Sequence, residues 1–314
     1  MLDSSLFSDV ADAIGLSNPT IVEKDYYVVQ LLKLIQQVET PYHRLVFSGG
    51  TALAKSNIKT YRMSEDVDLK LVPTDDFKSL PSRNAKKNVR KDIYNAVCVL
   101  IDDSDIFELD SDVIRRDEYR YMCFDVKYPQ AYQQAPCLRP YIKLELIESE
   151  LLSGSVNREI SSLYSQTVSE PCEIDTFVCA SIIDTQAEKL ISMLRRTASH
   201  ARNHERQDDE TLIRHIYDTH HIQLESPSDI DDLTVLVDKV IQIDIARYGN
   251  QHVELVTAPV DELRYGLTLL AETDEHQQRY QAYVAPMVYA NKPVTWVDAF
   301  ASFRTLTQTI LNRL

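Results

Sequence analysis

The sequence predicts an α+β fold, a β-sheet with flanking helices in the first half of the chain followed by a mostly helical second half. Three observations carry this. Short runs in which apolar and polar residues alternate recur between residues 45 and 147, the period of a strand with one buried face. Beyond about residue 170 the apolar residues return every three or four positions, the period of an amphipathic helix. Only 6 of the 314 residues are glycine, which argues against a turn-rich all-β chain. The polar stretch from Ser153-Gly154-Ser155 onward separates the halves, so the expected domains are 1–155 and 156–314.

Composition narrows the class. A content of 44% hydrophobic and 26% charged residues is that of an ordinary globular chain, long enough for one large or two modest domains. The net charge of −15 excludes general affinity for nucleic acid or anionic membranes, so any RNA contact needs a local basic patch. The five cysteines contain no C-x-x-C pair and are odd in number, which points to a reducing, cytoplasmic setting. The opening MLDSSLFSDV lacks the pattern of a signal peptide, and no apolar run approaches membrane-spanning length.

In chain order, residues 3–14 form a short amphipathic helix. A longer one starts at Asn18-Pro19-Thr20, where Thr20 and Glu23 have capping-box spacing, and Ile21, Val28, Leu31, Leu32 and Ile35 make its apolar stripe. Glu23, Lys24 and Asp25 read as a solvated first turn. Leu45-Val46-Phe47 is a strand, broken by Ser48-Gly49-Gly50-Thr51 and followed by a short helix. Asp66–Leu71 alternates strictly, with Val67, Leu69 and Leu71 on one face and Asp66, Asp68 and Lys70 on the other. A helix over 83–101 places Arg83, Lys86, Lys87, Arg90 and Lys91 on one face, either a phosphate-facing surface or a solvated one. Strands follow at 105–109, 119–128 and 140–147, the last alternating Ile142, Leu144 and Leu146 against Lys143 and Glu145. Gln186–Arg196 is a helix that sets Lys189 and Arg196 almost in line, where they either reach toward phosphates or snorkel at the surface. Arg214 and Asp218 stand at i, i+4 in another helix and read as an intrahelical ion pair. Helices at 228–246, 259–271, 274–288 and 294–313 complete the chain and carry no evident chemistry.

The chemistry concentrates in Ser48–Leu71. Two carboxylates at i and i+2 of a strand point the same way and repel unless a cation joins them. A divalent ion with hard oxygen ligands resolves that conflict and often brings substrate phosphates with it. The paired glycines upstream allow a backbone to approach phosphate oxygens closely. Asp66 and Asp68 are therefore a candidate metal clamp beside a candidate phosphate cradle. Glu145, on a neighbouring strand, is a candidate third acid for a two-metal arrangement, unless it belongs to an exposed polar face with Lys143.

These segments, in this order, resemble the AbiEii/AbiGii-type nucleotidyltransferase toxins of the DNA polymerase β-like superfamily. The resemblance is carried by Glu23-Lys24-Asp25-Tyr26-Tyr27, Phe47-Ser48-Gly49-Gly50-Thr51-Ala52-Leu53, Arg62-Met63-Ser64-Glu65-Asp66-Val67-Asp68-Leu69, Glu188-Lys189-Leu190 and Arg214-His215-Ile216-Tyr217-Asp218. It implies a nucleotidyltransferase-like mixed sheet followed by a helical domain, and Mg²⁺-dependent transfer of a nucleotidyl group from an NTP, with Mn²⁺ as the alternative ion. In related toxins of the MenT kind the acceptor is the tRNA 3′ end, and such toxins sit beside an antitoxin in toxin–antitoxin or phage-defence systems. Carried residue by residue, Asp66, Asp68 and Glu145 hold metal, and Ser48, Gly49, Gly50, Thr51, Arg62, Ser64, Lys189 and Arg196 bind the nucleotide. Lys189 and the three acids form the catalytic set. Thr51 stands where many relatives have Ser and keeps the hydroxyl. Two other readings share these residues: AMP transfer to a protein side chain, and a non-catalytic nucleotidyltransferase-like binding module.

Overall fold

The computed structural model describes residues 2–56, 58–110, 113–134, 137–206 and 208–314. One compact unit is formed by Met1–Asn57 and Met63–Ala180, a second by Ile58–Arg62 and Ser181–Leu314. Among the described residues no helix is long and apolar enough to cross a membrane.

The first unit runs α1 (Ser5–Ala13), α2 (Thr20–Ile35), β1 (His43–Ser48), α3 (Gly49–Ala54), β2 (Asp66–Pro73), α4 (Asp75–Lys78), α5 (Arg83–Asp102), β3 (Glu108–Leu109), β4 (Ile114–Arg116), β5 (Tyr121–Lys127), β6 (Ile142–Glu148), β7 (Ser155–Ile160), α6 (Leu163–Val168) and β8 (Ile174–Ala180). Its sheet has the order β3-β5-β6-β2-β1-β8-β7, with β4 added against β5. It is mixed: β2 is antiparallel to β1 and parallel to β6, while β1 is parallel to β8. Strands β7 and β8 fall where the sequence shows only a polar break and helical period. β7 is exposed at half of its positions and has no apolar alternation to read. β8 is recognised through its neighbour, with Phe177 set 5.9 Å from Phe47 of β1.

The alternation of β2 sorts the sheet into two chemically different faces. Val67 pairs with Leu144 and Leu69 with Leu146, and these pair in turn with Phe124 and Met122. All are buried, so this face is the core. Helix α5 covers it, Tyr94 stacking on Phe124 with centroids 5.8 Å apart. The same register gathers Asp66, Lys143 and Asp125 in one row of the opposite face and Asp68, Glu145 and Cys123 in the next.

Three local expectations are corrected. Glu23 does not close a capping box on Thr20. Asn18 Oδ1 accepts from the Thr20 N–H (3.0 Å) and hydroxyl (2.7 Å), while the Glu23 carboxylate accepts from the Ala131 N–H at 2.7 Å. Glu23, Lys24 and Asp25 are buried rather than solvated, because each finds a partner far away in sequence. Arg90 also leaves the basic face of α5. It is 1% exposed, forms a two-pronged bond with Glu148 of β6 (2.6 and 3.0 Å) and lies over the Phe77 ring.

The second unit contains α7 (Ile182–Arg202), α8 (Arg214–Glu225), α9 (Ile230–Tyr248), α10 (Val253–Thr257), α11 (Pro259–Glu272), α12 (Glu275–Tyr283) and α13 (Trp296–Leu311). The Ser181 hydroxyl accepts from the Asp184 N–H and starts α7. Helix α11 approaches α7 so closely at Gly266 that a Cβ there would run into the Leu194 carbonyl. Ile58–Arg62, although it lies between α3 and β2 in sequence, is bonded into this unit. Tyr289 N–H donates to the Tyr61 carbonyl at 2.8 Å, and the Tyr217 hydroxyl donates to the Thr60 carbonyl at 2.6 Å.

Candidate active site

Strand alternation puts Asp66 and Asp68 on the polar face of the first unit, both half-buried. The diglycine bend comes directly against Asp68. Gly49 has φ +76°, a backbone conformation side chains disfavour, and a Cβ at this position would overlap the Asp68 carboxylate. The bend is pinned from below. The Thr51 hydroxyl donates to the Asp66 carbonyl and bonds with the Ser64 hydroxyl at 2.9 Å, while Ser48 Oγ donates to the Asp68 carbonyl at 3.2 Å. Thr51 is fully buried, so its hydroxyl serves the joint between α3 and β2. Glu145 sits opposite Asp68 on the parallel strand β6.

Cations already accompany these acids. Arg139 Nη1 pairs with Asp66, and Lys143 Nζ pairs with Glu145. The Tyr121 hydroxyl donates to Glu145 at 2.8 Å, and its own proton is held far above the usual phenol range by burial and by that carboxylate. Burial works to lower Lys143, but the neighbouring Glu145 carboxylate outweighs it and raises the ammonium above its ordinary value. Behind them lies a buried ion pair, Lys24–Glu65 at 2.7 Å. Burial would raise Glu65, yet the Lys24 ammonium and the Arg139 N–H hold it below the ordinary carboxylate range.

In the second unit, three sequence segments converge on Asp218. Arg62 grips it with two bonds of 3.0 and 2.9 Å, and Lys189 approaches to 2.9 Å. Asp218 is wholly buried, which would raise its pKa, but the two cations hold it far below the usual carboxylate range. Beside it, burial and the Lys189 charge keep His215 neutral. Arg214 donates to the Tyr283 carbonyl at 3.3 Å. Arg196 pairs with Asp209 at 2.9 Å.

The profile of the family described as "Nucleotidyl transferase AbiEii toxin, Type IV TA system" matches residues 35–307. The chain belongs to the AbiEii nucleotidyltransferase toxin family. As a member of that family it is a nucleotidyltransferase, and a toxin of a toxin–antitoxin system. No curated protein matches the sequence. Among solved structures, MenT4, a nucleotidyltransferase toxin from Mycobacterium tuberculosis H37Rv, matches 100% of this chain and 91% of its own, at 22% identity and a TM-score of 0.63. It shares the fold. A putative nucleotidyltransferase from H. pylori matches 93% of this chain and 96% of its own, at 16% identity and a TM-score of 0.40.

Nucleotidyltransferases of the AbiEii family imply an NTP substrate and a divalent metal. The donor set suits such an ion in kind. Two carboxylates of one strand face the same way, a third lies opposite on the next, and all are hard oxygen ligands. Among the described residues no group of three metal-ligating side chains is already drawn together around one point. Mg²⁺ does not need one, since it is commonly held by one or two carboxylates plus water and substrate phosphates.

The first unit thus brings together Asp66, Asp68, Glu145, Ser48, Gly49, Gly50, Thr51 and Ser64, while Arg62, Lys189 and Arg196 belong to the second. Sequence reasoning missed Asp218 as a site residue. Its spacing from Arg214 was visible, but Arg62 and Lys189 are 156 and 29 residues away. It also missed Arg139, which lies in an irregular stretch that no periodicity marks.

Proposed function

We propose that this AbiEii-family toxin transfers a nucleotidyl group from an NTP to the 3′ end of tRNA in the cytoplasm, with Mg²⁺ bound by Asp66 and Asp68. The observation that carries this reading is the packing of the Asp68 carboxylate directly against the Gly49 bend, with Asp66 on the same face of β2 and Glu145 opposite Asp68 on β6. When bound, the metal stabilises charge on the attacking and leaving oxygens.

The chain's own residues do the rest. Ser48, Gly49, Gly50 and Thr51 are assigned to the triphosphate, and the lack of a side chain at Gly49 lets the bend pack directly against the Asp68 carboxylate. Thr51 and Ser64 fix the bend to β2, so the acids and the backbone move as one. Lys189 and Arg62 both pair with Asp218, and Lys189 is assigned to the triphosphate, whose charge an ammonium would offset. Glu145 accepts the proton of the attacking hydroxyl or holds a second ion. Arg196, which pairs with Asp209, is the second α7 residue assigned to the nucleotide.

In a chain of net charge −15, Lys86, Lys87 and Lys91 lie on α5, and Arg115 of β4 stands over the Tyr94 ring of the same helix at 5.1 Å. That surface is on the α5 side of the sheet, behind the acids, so it would hold the body of an RNA rather than its reacting end.

The test is incubation of the protein with each labelled NTP, Mg²⁺ and either total tRNA or lysate protein. Label is expected on tRNA, and Asp66→Asn and Asp68→Asn are expected to lower transfer by at least a hundredfold with an unchanged melting curve. Full activity in either variant overturns the metal assignment. Label on protein instead of tRNA supports AMP transfer to side chains.

A further inference from the structure

We infer that Arg139 is the resident counter-cation of Asp66, which the metal displaces on binding, so that Arg139 sets the metal affinity of the site. This rests on the assignment of Asp66 as a metal ligand. Its grounds lie in how Arg139 is built in. The side chain pairs with Asp66 and extends to within 4.0 Å of Glu65. The backbone of the same residue is clamped at both ends. Its N–H donates to Glu65 Oε2 at 2.9 Å, and its carbonyl accepts from Lys24 Nζ at 2.6 Å and from Gln134 Nε2 at 3.0 Å. The buried Lys24–Glu65 pair therefore holds the main chain of Arg139 in place beside Asp66. Glu23 continues the clamp through the Ala131 N–H. This gives the Glu23-Lys24 segment of α2 a role: it fixes the stretch of chain that delivers Arg139.

The charge balance explains why such a cation is needed. Asp66, Asp68 and Glu145 carry three negative charges on adjacent positions of two strands, and repulsion among them disfavours the ionised, ordered state. Arg139 and Lys143 return two positive charges. Binding is then an exchange at the Asp66 oxygen: the guanidinium leaves as the ion arrives, with the anchored backbone unmoved. The Arg139 side chain is 29% exposed and that of Asp66 25%, so the pair is partly solvated and can be opened.

Calorimetric titration of the full chain with Mn²⁺ and Mg²⁺, without NTP, tests this. The variants are Arg139→Gln, Arg139→Lys, Asp66→Asn and, as a charge-matched control, Arg44→Gln, an exposed cation at the far end of β1. Arg139→Gln is expected to bind metal about three- to fivefold more tightly, the upper part of the range for a partly exposed ion pair. Arg139→Lys, which restores a competing charge, is expected within about twofold of the parent, as is Arg44→Gln. Unchanged or weaker binding in Arg139→Gln, with binding lost in Asp66→Asn, overturns this inference and leaves the metal assignment standing. Unchanged binding in Asp66→Asn overturns both. Equal tightening in Arg44→Gln also overturns it, since net charge alone would then account for the effect.

Discussion

Asp218 is the residue on which the second unit is electrostatically balanced. It has no exposed surface, and Arg62 and Lys189 bind it within hydrogen-bonding distance. Removing the carboxylate leaves two buried cations facing each other without compensation. Asp218→Ala is expected to lower unfolding stability by about 3–5 kcal/mol, measured by urea denaturation. A loss below about 1 kcal/mol would show that water or another group takes over its role. Asp66 and Asp68 sit at the other extreme. They are half-buried and lie on a face that the core does not use, so their substitution is expected to alter chemistry and not folding. The two kinds of acid look alike in a sequence. Burial and the sequence distance of their partners tell them apart.

At the scale of elements, helix α5 shows how a regular pattern can mislead. Its basic residues recur at helical spacing, but Arg90 is turned inward and locks α5 to β6 through Glu148, which also bonds His43 of β1 at 3.1 Å. Burial would raise Glu148, but the His43 and Arg90 bonds outweigh it and bring its pKa down to about 2. A depressed carboxylate contributes stability that is present above its unfolded value, near 4.5, and is lost as pH falls toward about 2. With the site's partial solvation allowed for, that contribution is about 2 kcal/mol. Glu148→Gln is expected to flatten this part of the stability curve between about pH 4.5 and 2, followed by chemical denaturation at several pH values. An unchanged slope would place the acid sensitivity elsewhere. The Gly49 bend is legible in part: paired glycines between a strand and a helix read as a close approach to phosphate oxygens, and the group packed against Gly49 in the structure is the Asp68 carboxylate.

At the scale of the molecule, the two compact units are not two continuous stretches of chain. Ile58–Arg62 departs from the first sequence half and is bonded into the second unit through Thr60, Tyr61 and Arg62. A fragment of Ser181–Leu314 alone therefore lacks the Arg62 partner of Asp218 and the acceptor of the Tyr217 hydroxyl. It is expected to melt without a cooperative transition by circular dichroism. A sharp transition near that of the full chain would show that α7 to α13 suffice for the unit. The segment also joins the diglycine bend to the aspartate strand, so the sequence between the two motifs of the candidate site is itself structural material of another unit. This accounts for the length of that connection.

Local order was written in the sequence. The strict alternation of Asp66–Leu71 and of Ile142–Ile147, the helical period after residue 182 and the glycine pair are all short-range signals, since each depends on which face of a strand or helix meets the core. They were enough to assign an α+β chain with the acids on one face of its sheet. Partnership was decided only by the tertiary structure. That Arg139 meets Asp66, that Arg62 and Lys189 share Asp218, that Arg90 is a core residue, and that β8 lies against β1 all join residues from 29 to more than 130 positions apart. The physical reason is that a charge or hydroxyl carries no mark of which distant group will satisfy it. Burial makes a partner necessary, and the topology of the chain selects which one.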